Sequence, residues 1–358
     1  MSKILFISAH APTNLYPQAG QKIALSNLDK YYSDNTTVDV VAIANKAEID
    51  AATDLVDKYS NLFTYPLTKS HKIISCLTRI SIPFKFSSRY QATVAEKIQE
   101  LLQKNTYDVI HFEYSHAAIY LDLIKPLINN YTRTVISIHD IVAQSFLRKS
   151  ETNFILGIEV ARLFQLEKKL YQNVNQLWVL SKKDRDILTS LFSIPEDKII
   201  IKPPQLSSFI SQVKRHPDKI EQKSLLFWGA MNRPENEQAV INFLQNCFAK
   251  LLKINPECKL YIVGSNPSAK IINLKNNNII VTGFVEDPTP FFEKAEIGIV
   301  PLLQGAGIKL KTLEMLAAGL PVISTNIGAE GIESSENLLV NDRLNEWVNI
   351  ITGLGKKN

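Results

Sequence analysis

Ile297-Gly-Ile-Val-Pro301, Gly305-Ala-Gly-Ile-Lys-Leu-Lys-Thr-Leu-Glu314, Met315-Leu-Ala-Ala-Gly319-Leu-Pro321-Val-Ile-Ser-Thr325 and Gly328-Ala-Glu-Gly-Ile332 follow one another along the chain with few residues between them. The order reads as a buried strand, a glycine loop, a short helix stopped by Gly319 and a second buried strand opened by Pro321. Gly305 and Gly307 let the backbone take positive φ and approach a ligand closely. The helix behind them aims its first free amides at the loop, and such an end attracts anions, phosphate above all. Lys309 and Lys311 in the first turn add to that attraction. Without an anion they oppose the helix dipole, at a cost of about 0.3–1 kcal/mol each. Glu314, one turn on, is a bidentate acceptor suited to the two hydroxyls of a ribose.

Around this stretch the composition is that of a globular α/β protein. The chain has 358 residues, enough for two domains. Apolar residues make up 45% and charged residues 21%, which supplies ample core. A net charge of +5 is too mild to indicate nucleic-acid binding, and the basic residues form no nucleic-acid motif. Cys76, Cys247 and Cys258 lack metal-site spacing and read as reduced thiols. Met1-Ser-Lys-Ile-Leu-Phe-Ile-Ser enters a strand directly, without the layout of a signal peptide, so a cytoplasmic protein is expected.

The stretch resembles the donor-nucleotide segment of glycosyltransferase family 4, retaining enzymes of the GT-B fold. The family pattern is a glutamate, then seven residues, a second glutamate and Ala-x-Gly-x-Pro-Val. Glu314 matches the second glutamate, which holds the ribose in that family. The first falls on Ala306, so that carboxylate is missing and the identity of the sugar stays open. The match is closer to a branch with Gly-x-Gly-x-(Arg/Lys)-x-Lys, in which Lys309 and Lys311 are the basic pair. The resemblance implies two Rossmann-like domains with parallel sheets facing across a cleft. Residues 1–204 would be the acceptor domain and 205–358 the donor domain, with the usual C-terminal crossing helices short or missing. Gly305, Ala306, Gly307, Ile308, Leu310, Thr312 and Glu314 would line the donor, with Lys309 and Lys311 on the leaving diphosphate. The nucleotide-sugar is then a substrate, and neither a cofactor nor a metal is expected.

Further features follow in chain order. Lys3–Ser8 is an apolar run expected of a parallel strand, and Gly20 opens the helix after it. By the resemblance Gly20 faces the donor phosphate; otherwise it serves a plain turn. Six basic residues and no acidic one lie between Lys58 and Ala95, interleaved with apolar and aromatic side chains. That mixture suits an anionic membrane surface on the inner face or a lipid-linked acceptor, and equally a solvated, irregular helix pair. Tyr107-Asp-Val-Ile-His-Phe112 is a buried strand that brings Glu113 and His116 to the end where open α/β sheets hold ligands. Either residue is a candidate sugar or acceptor contact. The strand from Thr134 ends in His139 and Asp140, whose side chains diverge. Ile155–Asn173 has helical periodicity, with Glu167, Lys168 and Lys169 on its exposed side. Pro203–Lys223 is polar, carries proline and fits an interdomain linker. In the second half, Gly229 and Arg233 stand in the loop expected to border the diphosphate. Phe284 and Val285 follow Gly283 where the family lines its nucleobase site.

The resemblance implies a metal-independent, retaining transferase. It would move a sugar from a nucleotide-sugar to a saccharide or lipid-linked acceptor in cell-surface glycan assembly. A GT-B sugar-nucleotide epimerase and a non-catalytic nucleotide-sugar binder remain as alternatives.

Overall fold

The structure is a computed structural model that describes residues 2–16, 19–56, 58–59, 61–150 and 154–354. The approach to Gly20 through Gln18, and the last four residues of the expected donor domain, lie outside the described residues. The chain divides into two compact units, Met1–Gln205 and Leu206–Asn358.

The first unit holds seven strands: β1 (Ser2–Ser8), β2 (Thr36–Ala44), β3 (Asn61–Pro66), β4 (Val109–Glu113), β5 (Arg133–Ile138), β6 (Gln176–Val179) and β7 (Ile199–Ile201). They form one parallel sheet in the order β3-β2-β1-β4-β5-β6-β7. Period-two alternation assigns the two faces of the strands to two cores. Leu5, Ile7, Ile110, Phe112 and Ile136 pack on one face, and Ile4, Phe6, Val109, Val135 and Trp178 on the other. Both faces are covered, which is why the strands read as unbroken apolar runs. Order reverses between β1 and β4, where Ser8 pairs with Glu113. The side chains that follow these two strands therefore meet at the topological switch point.

The longer helices, numbered here in chain order, are α1 (Ala19–Asp29), α2 (Lys69–Thr78), α3 (Ala92–Lys104), α4 (Val142–Ser150), α5 (Phe154–Gln172) and α6 (Lys182–Ser190). Ser181 caps α6 by accepting from the Asp184 amide at 3.2 Å. The segment after Lys58 opens with the edge strand β3, whose Phe63 and Tyr65 pack against the core, and continues into helices at Lys69–Thr78 and Phe84–Ser87. One expectation is corrected here. Glu167 is buried rather than exposed, because its carboxylate accepts from the Val142 and Ala143 amides, each at 2.9 Å, and so caps α4.

The second unit repeats the design with β8 (Glu221–Trp228), β9 (Lys259–Val263), β10 (Ile279–Gly283), β11 (Ala295–Val300), β12 (Val322–Ser324) and β13 (Leu338–Val340). Its parallel sheet has the order β10-β9-β8-β11-β12-β13. The principal helices are α7 (Pro234–Phe243), α8 (Leu310–Ala317) and α9 (Trp347–Leu354). The switch point lies between β8 and β11, so the loops at Gly229 and Gly305 leave adjacent strand ends. The expected linker is in part a strap on this unit. Ile210 enters the core, Phe209 meets Trp228 edge-on at 5.8 Å, and Arg215 donates to the Phe292 and Ala295 carbonyls. Among the described residues no helix is long and apolar enough to cross a membrane.

Candidate active site

The second unit gathers the glycine loops and the basic pair at its switch point. Gly305 has φ +127° and Gly307 φ +70°, conformations that side chains rarely adopt. Helix α8 begins at Leu310, so Lys309 is its cap residue and Lys311 lies in its first turn. The Lys309 Nζ folds back to donate to the Ala306 carbonyl at 3.1 Å and the Gly307 carbonyl at 2.5 Å. It also pairs with the Glu330 carboxylate at 3.5 Å. Lys309 therefore holds the shape of the loop, and Glu330 brings a carboxylate beside the loop that carries Ala306. Ile308 and Leu310 are half-buried, and Thr312 is fully buried with its hydroxyl donating to the Gly328 carbonyl at 2.7 Å.

Lys311 reaches across to the neighbouring strand end. Its Nζ donates to Asn236 Oδ1 at 2.5 Å and stands 4.6 Å from the centroid of the Phe227 ring. Gly229, at φ +149°, lies under this ammonium, and a Cβ there would come 2.9 Å from Nζ. Asn236 also donates to the Ala230 carbonyl at 2.7 Å and so fixes the loop that carries Arg233. Burial, together with the like charges of Arg233 and Lys309, lowers the Lys311 ammonium to about 7; Glu235 opposes the shift. Arg233 is exposed at the cap of α7. Lys309 is balanced by Glu330, whereas Lys311 has no ion pair among the described residues, so Lys311 supplies the unbalanced positive charge that suits a diphosphate.

Glu314 is buried and already engaged. Its Oε1 accepts from the Ser207 amide at 3.1 Å and hydroxyl at 2.6 Å, and its Oε2 accepts from Trp228 Nε1 at 2.7 Å. These donors fix the carboxylate plane and leave lone pairs for further donors. Phe284 is 70% exposed after Gly283, at φ +74°, while Val285 packs on the core.

The first unit places its candidates at its own switch point. Glu113 is fully buried; its carboxylate meets His111 Nε2 at 2.8 Å, His139 Nε2 at 2.5 Å and Asn27 Nδ2 at 3.1 Å. Burial alone would raise this acid, but hydrogen bonds from the two histidines prevail and hold it down to about 2. His111 is lowered by its burial and accepts from Tyr31 Oη at 2.9 Å. Glu113 thus acts behind His139, whose half-buried ring stacks on Tyr114 at 3.9 Å. Adjacent Asp140 is not the partner of His139; Glu113 is. Tyr114 itself has φ +71°, and its hydroxyl lies 2.7 Å from where a Cβ on Gly20 would stand. A side chain at position 20 would therefore displace that hydroxyl.

His10 joins the group, donating to Glu48 and accepting from Arg89 Nη2 at 2.9 Å. Burial and then Arg89 bring its imidazole down to about 4. His116 packs on Phe86 at 5.1 Å, and both ring nitrogens are sealed from solvent without a hydrogen-bond partner. Its burial, reinforced by Arg89, keeps it neutral. As folded, His116 shows no polar atom to a ligand, in contrast to the expected role.

The sequence reading missed Asn236, Ser207, Trp228 and Glu330 around the loops, and Asn27 and His10 in the first unit. Glu330 stands within the quoted run Gly328–Ile332, but nothing in that run marks it as the partner of Lys309.

Two family descriptions match the chain, one on each unit. Residues 222–356 match "Glycosyl transferases group 1" and residues 49–204 match "Glycosyltransferase Family 4". The chain is a group 1 glycosyltransferase. A "44.6 kDa protein in cps region" of Klebsiella pneumoniae is 23% identical to this glycosyltransferase, over 92% of the chain and 84% of that protein. Sucrose-phosphate synthase from Thermosynechococcus elongatus has the same GT-B fold. It aligns with a TM-score of 0.70 and 16% identity, over 99% of this chain and 92% of its own. Anabaena HepE in complex with UDP-glucose aligns at 0.65 with 14% identity, over 99% and 89%. The lipopolysaccharide outer core galactosyltransferase WaaB aligns at 0.63 with 11% identity, over 99% and 90%.

Proposed function

We propose that this glycosyltransferase moves a hexose from a nucleotide-sugar to a saccharide or lipid-linked acceptor, with retention at the anomeric carbon. The observation that carries the reading is the electropositive cradle of the second unit. It combines two positive-φ glycines, the start of α8, and Lys311 suspended over Gly229. The diphosphate lies against the loop amides and Lys311, the ribose hydroxyls donate to Glu314, and Phe284 covers the base. The second unit is then the donor domain and the first the acceptor domain.

In the transfer, the bond from C1 to the β-phosphate oxygen breaks as the acceptor oxygen attacks on the same face. The acceptor proton passes to the departing phosphate oxygen. Lys311 stabilises the charge that develops on the diphosphate, and this requires no metal. The solved complexes of HepE with UDP and UDP-glucose support a uridine diphosphate sugar as donor. The cps-region relative supports a role in cell-surface polysaccharide assembly, and the basic and apolar make-up of residues 58–95 supports a place at the inner face of the membrane. Segment 58–95 would make the peripheral contact there, with no part for nucleic acid.

A thermal-shift panel of UDP, GDP, ADP, CMP and dTDP tests the assignment without added metal. The cognate nucleotide at about 100 times its Kd should stabilise the donor unit by roughly 2.7 kcal/mol. Glu314→Ala should abolish most of that shift, and Lys309→Ala with Lys311→Ala should lower kcat at least about hundredfold. Full turnover in the double variant would sink the proposal.

A further inference from the structure

Between α2 and the first turn of α3 lies a cavity of about 300 Å³. One wall is the half-buried guanidinium of Arg79, its central carbon 3.4 Å from the centroid of the Tyr90 ring. Tyr90 stacks in turn on Tyr120 at 5.3 Å. Among the described residues the Arg79 guanidinium makes no ion pair and no hydrogen bond, so a planar fork of donors rests on an aromatic face with its N–H groups unused. Such a fork matches the oxygens of a phosphate. His71 and Thr93 also line the cavity and add polar groups, and Ile74 adds an apolar edge.

The surroundings select the kind of molecule that carries the phosphate. On α2, Ile73 is 61% exposed and Leu77 71%, and Ile80 beyond it is 75% exposed. Lys69 and Lys72 stand on the same helix, and its first turn contains no acid. Positive charge there opposes the dipole of α2 until an anion arrives. An exposed apolar ridge next to an unpaired arginine, in a segment free of acidic residues, suits an amphiphile with an anionic head.

We infer that this cavity binds the phosphate of an anionic lipid, with Arg79 on the headgroup and Ile73, Leu77 and Ile80 in the acyl boundary. The inference deepens the proposed membrane-facing role of segment 58–95 and assigns it a headgroup site.

The full chain is tested by flotation with phosphatidylcholine vesicles, alone or containing phosphatidic acid. Binding is expected only with phosphatidic acid. Arg79→Ala should weaken it at least about tenfold, the loss of one charge-assisted contact. Leu77→Asp should weaken it as well. Retention of the UDP thermal shift in Arg79→Ala shows that the variant is folded. Equal binding by Arg79→Ala and the parent, or equal binding to pure phosphatidylcholine, overturns the site. Competition by soluble glycerol phosphate as effective as lipid would overturn the lipid as the occupant. If no nucleotide shifts the parent protein while vesicle binding persists, the donor assignment fails and the headgroup site stands.

Discussion

Lys311 links the charge of the candidate site to pH. Its ammonium lies near 7 in the free protein, and an arriving diphosphate must raise it, so binding takes up a proton. Above pH 7 nucleotide affinity should fall, by up to about tenfold per pH unit. Titration calorimetry in buffers of different ionisation enthalpy measures this uptake directly, and Lys311→Met should remove it. The sign for stability is opposite. Between about 7 and the unfolded value near 10.5, the unfolded chain binds more protons than the folded one. The Lys311 contribution to stability therefore grows as pH rises through that window. Glu314 and the lysines were legible in the sequence because a glycine loop, a basic pair and an acid recur at fixed spacing. Their partners were not. Ser207 lies 107 positions from Glu314, and nothing in a polar stretch marks which hydroxyl will dock.

At the scale of elements, the apolar runs revealed the buried strands because parallel sheets covered on both faces leave no alternation to interpret. β3 escaped because an edge strand is only half-buried, and its aromatics sit among basic residues. α2 answers to the solvated helix weighed for this segment, with Ile73, Ile74 and Leu77 exposed rather than turned inward. Glu167 shows the reverse error, a charge on a periodic helix that turns inward to satisfy the start of α4. Burial raises its carboxyl to about 7, although the amides it caps favour the charged form. Between the unfolded value near 4.5 and about 7 the folded state binds more protons, so this group makes stability fall as pH rises through that window. Glu167→Ala leaves two buried amides without an acceptor and should cost about 2–4 kcal/mol, read from urea unfolding. The Tyr171 hydroxyl, which donates to Glu167 at 2.7 Å, would lose the same acceptor.

For the whole molecule, the two cores do not share residues: the large clusters fall within residues 4–201 and 209–351 respectively. If the second unit holds the nucleotide, as proposed, calorimetry should show its unfolding raised by the ligand. No rise in any transition at saturating nucleotide would contradict that binding.

Tyr114 and Gly20 constrain how such a chain can drift. The ring that leans on His139 carries a hydroxyl 2.7 Å from where a side chain at position 20 would begin. A methyl group there would push that hydroxyl aside, and the ring would have to turn against His139 with it. Positions 20 and 114, far apart in sequence, are thus tied to one another in space.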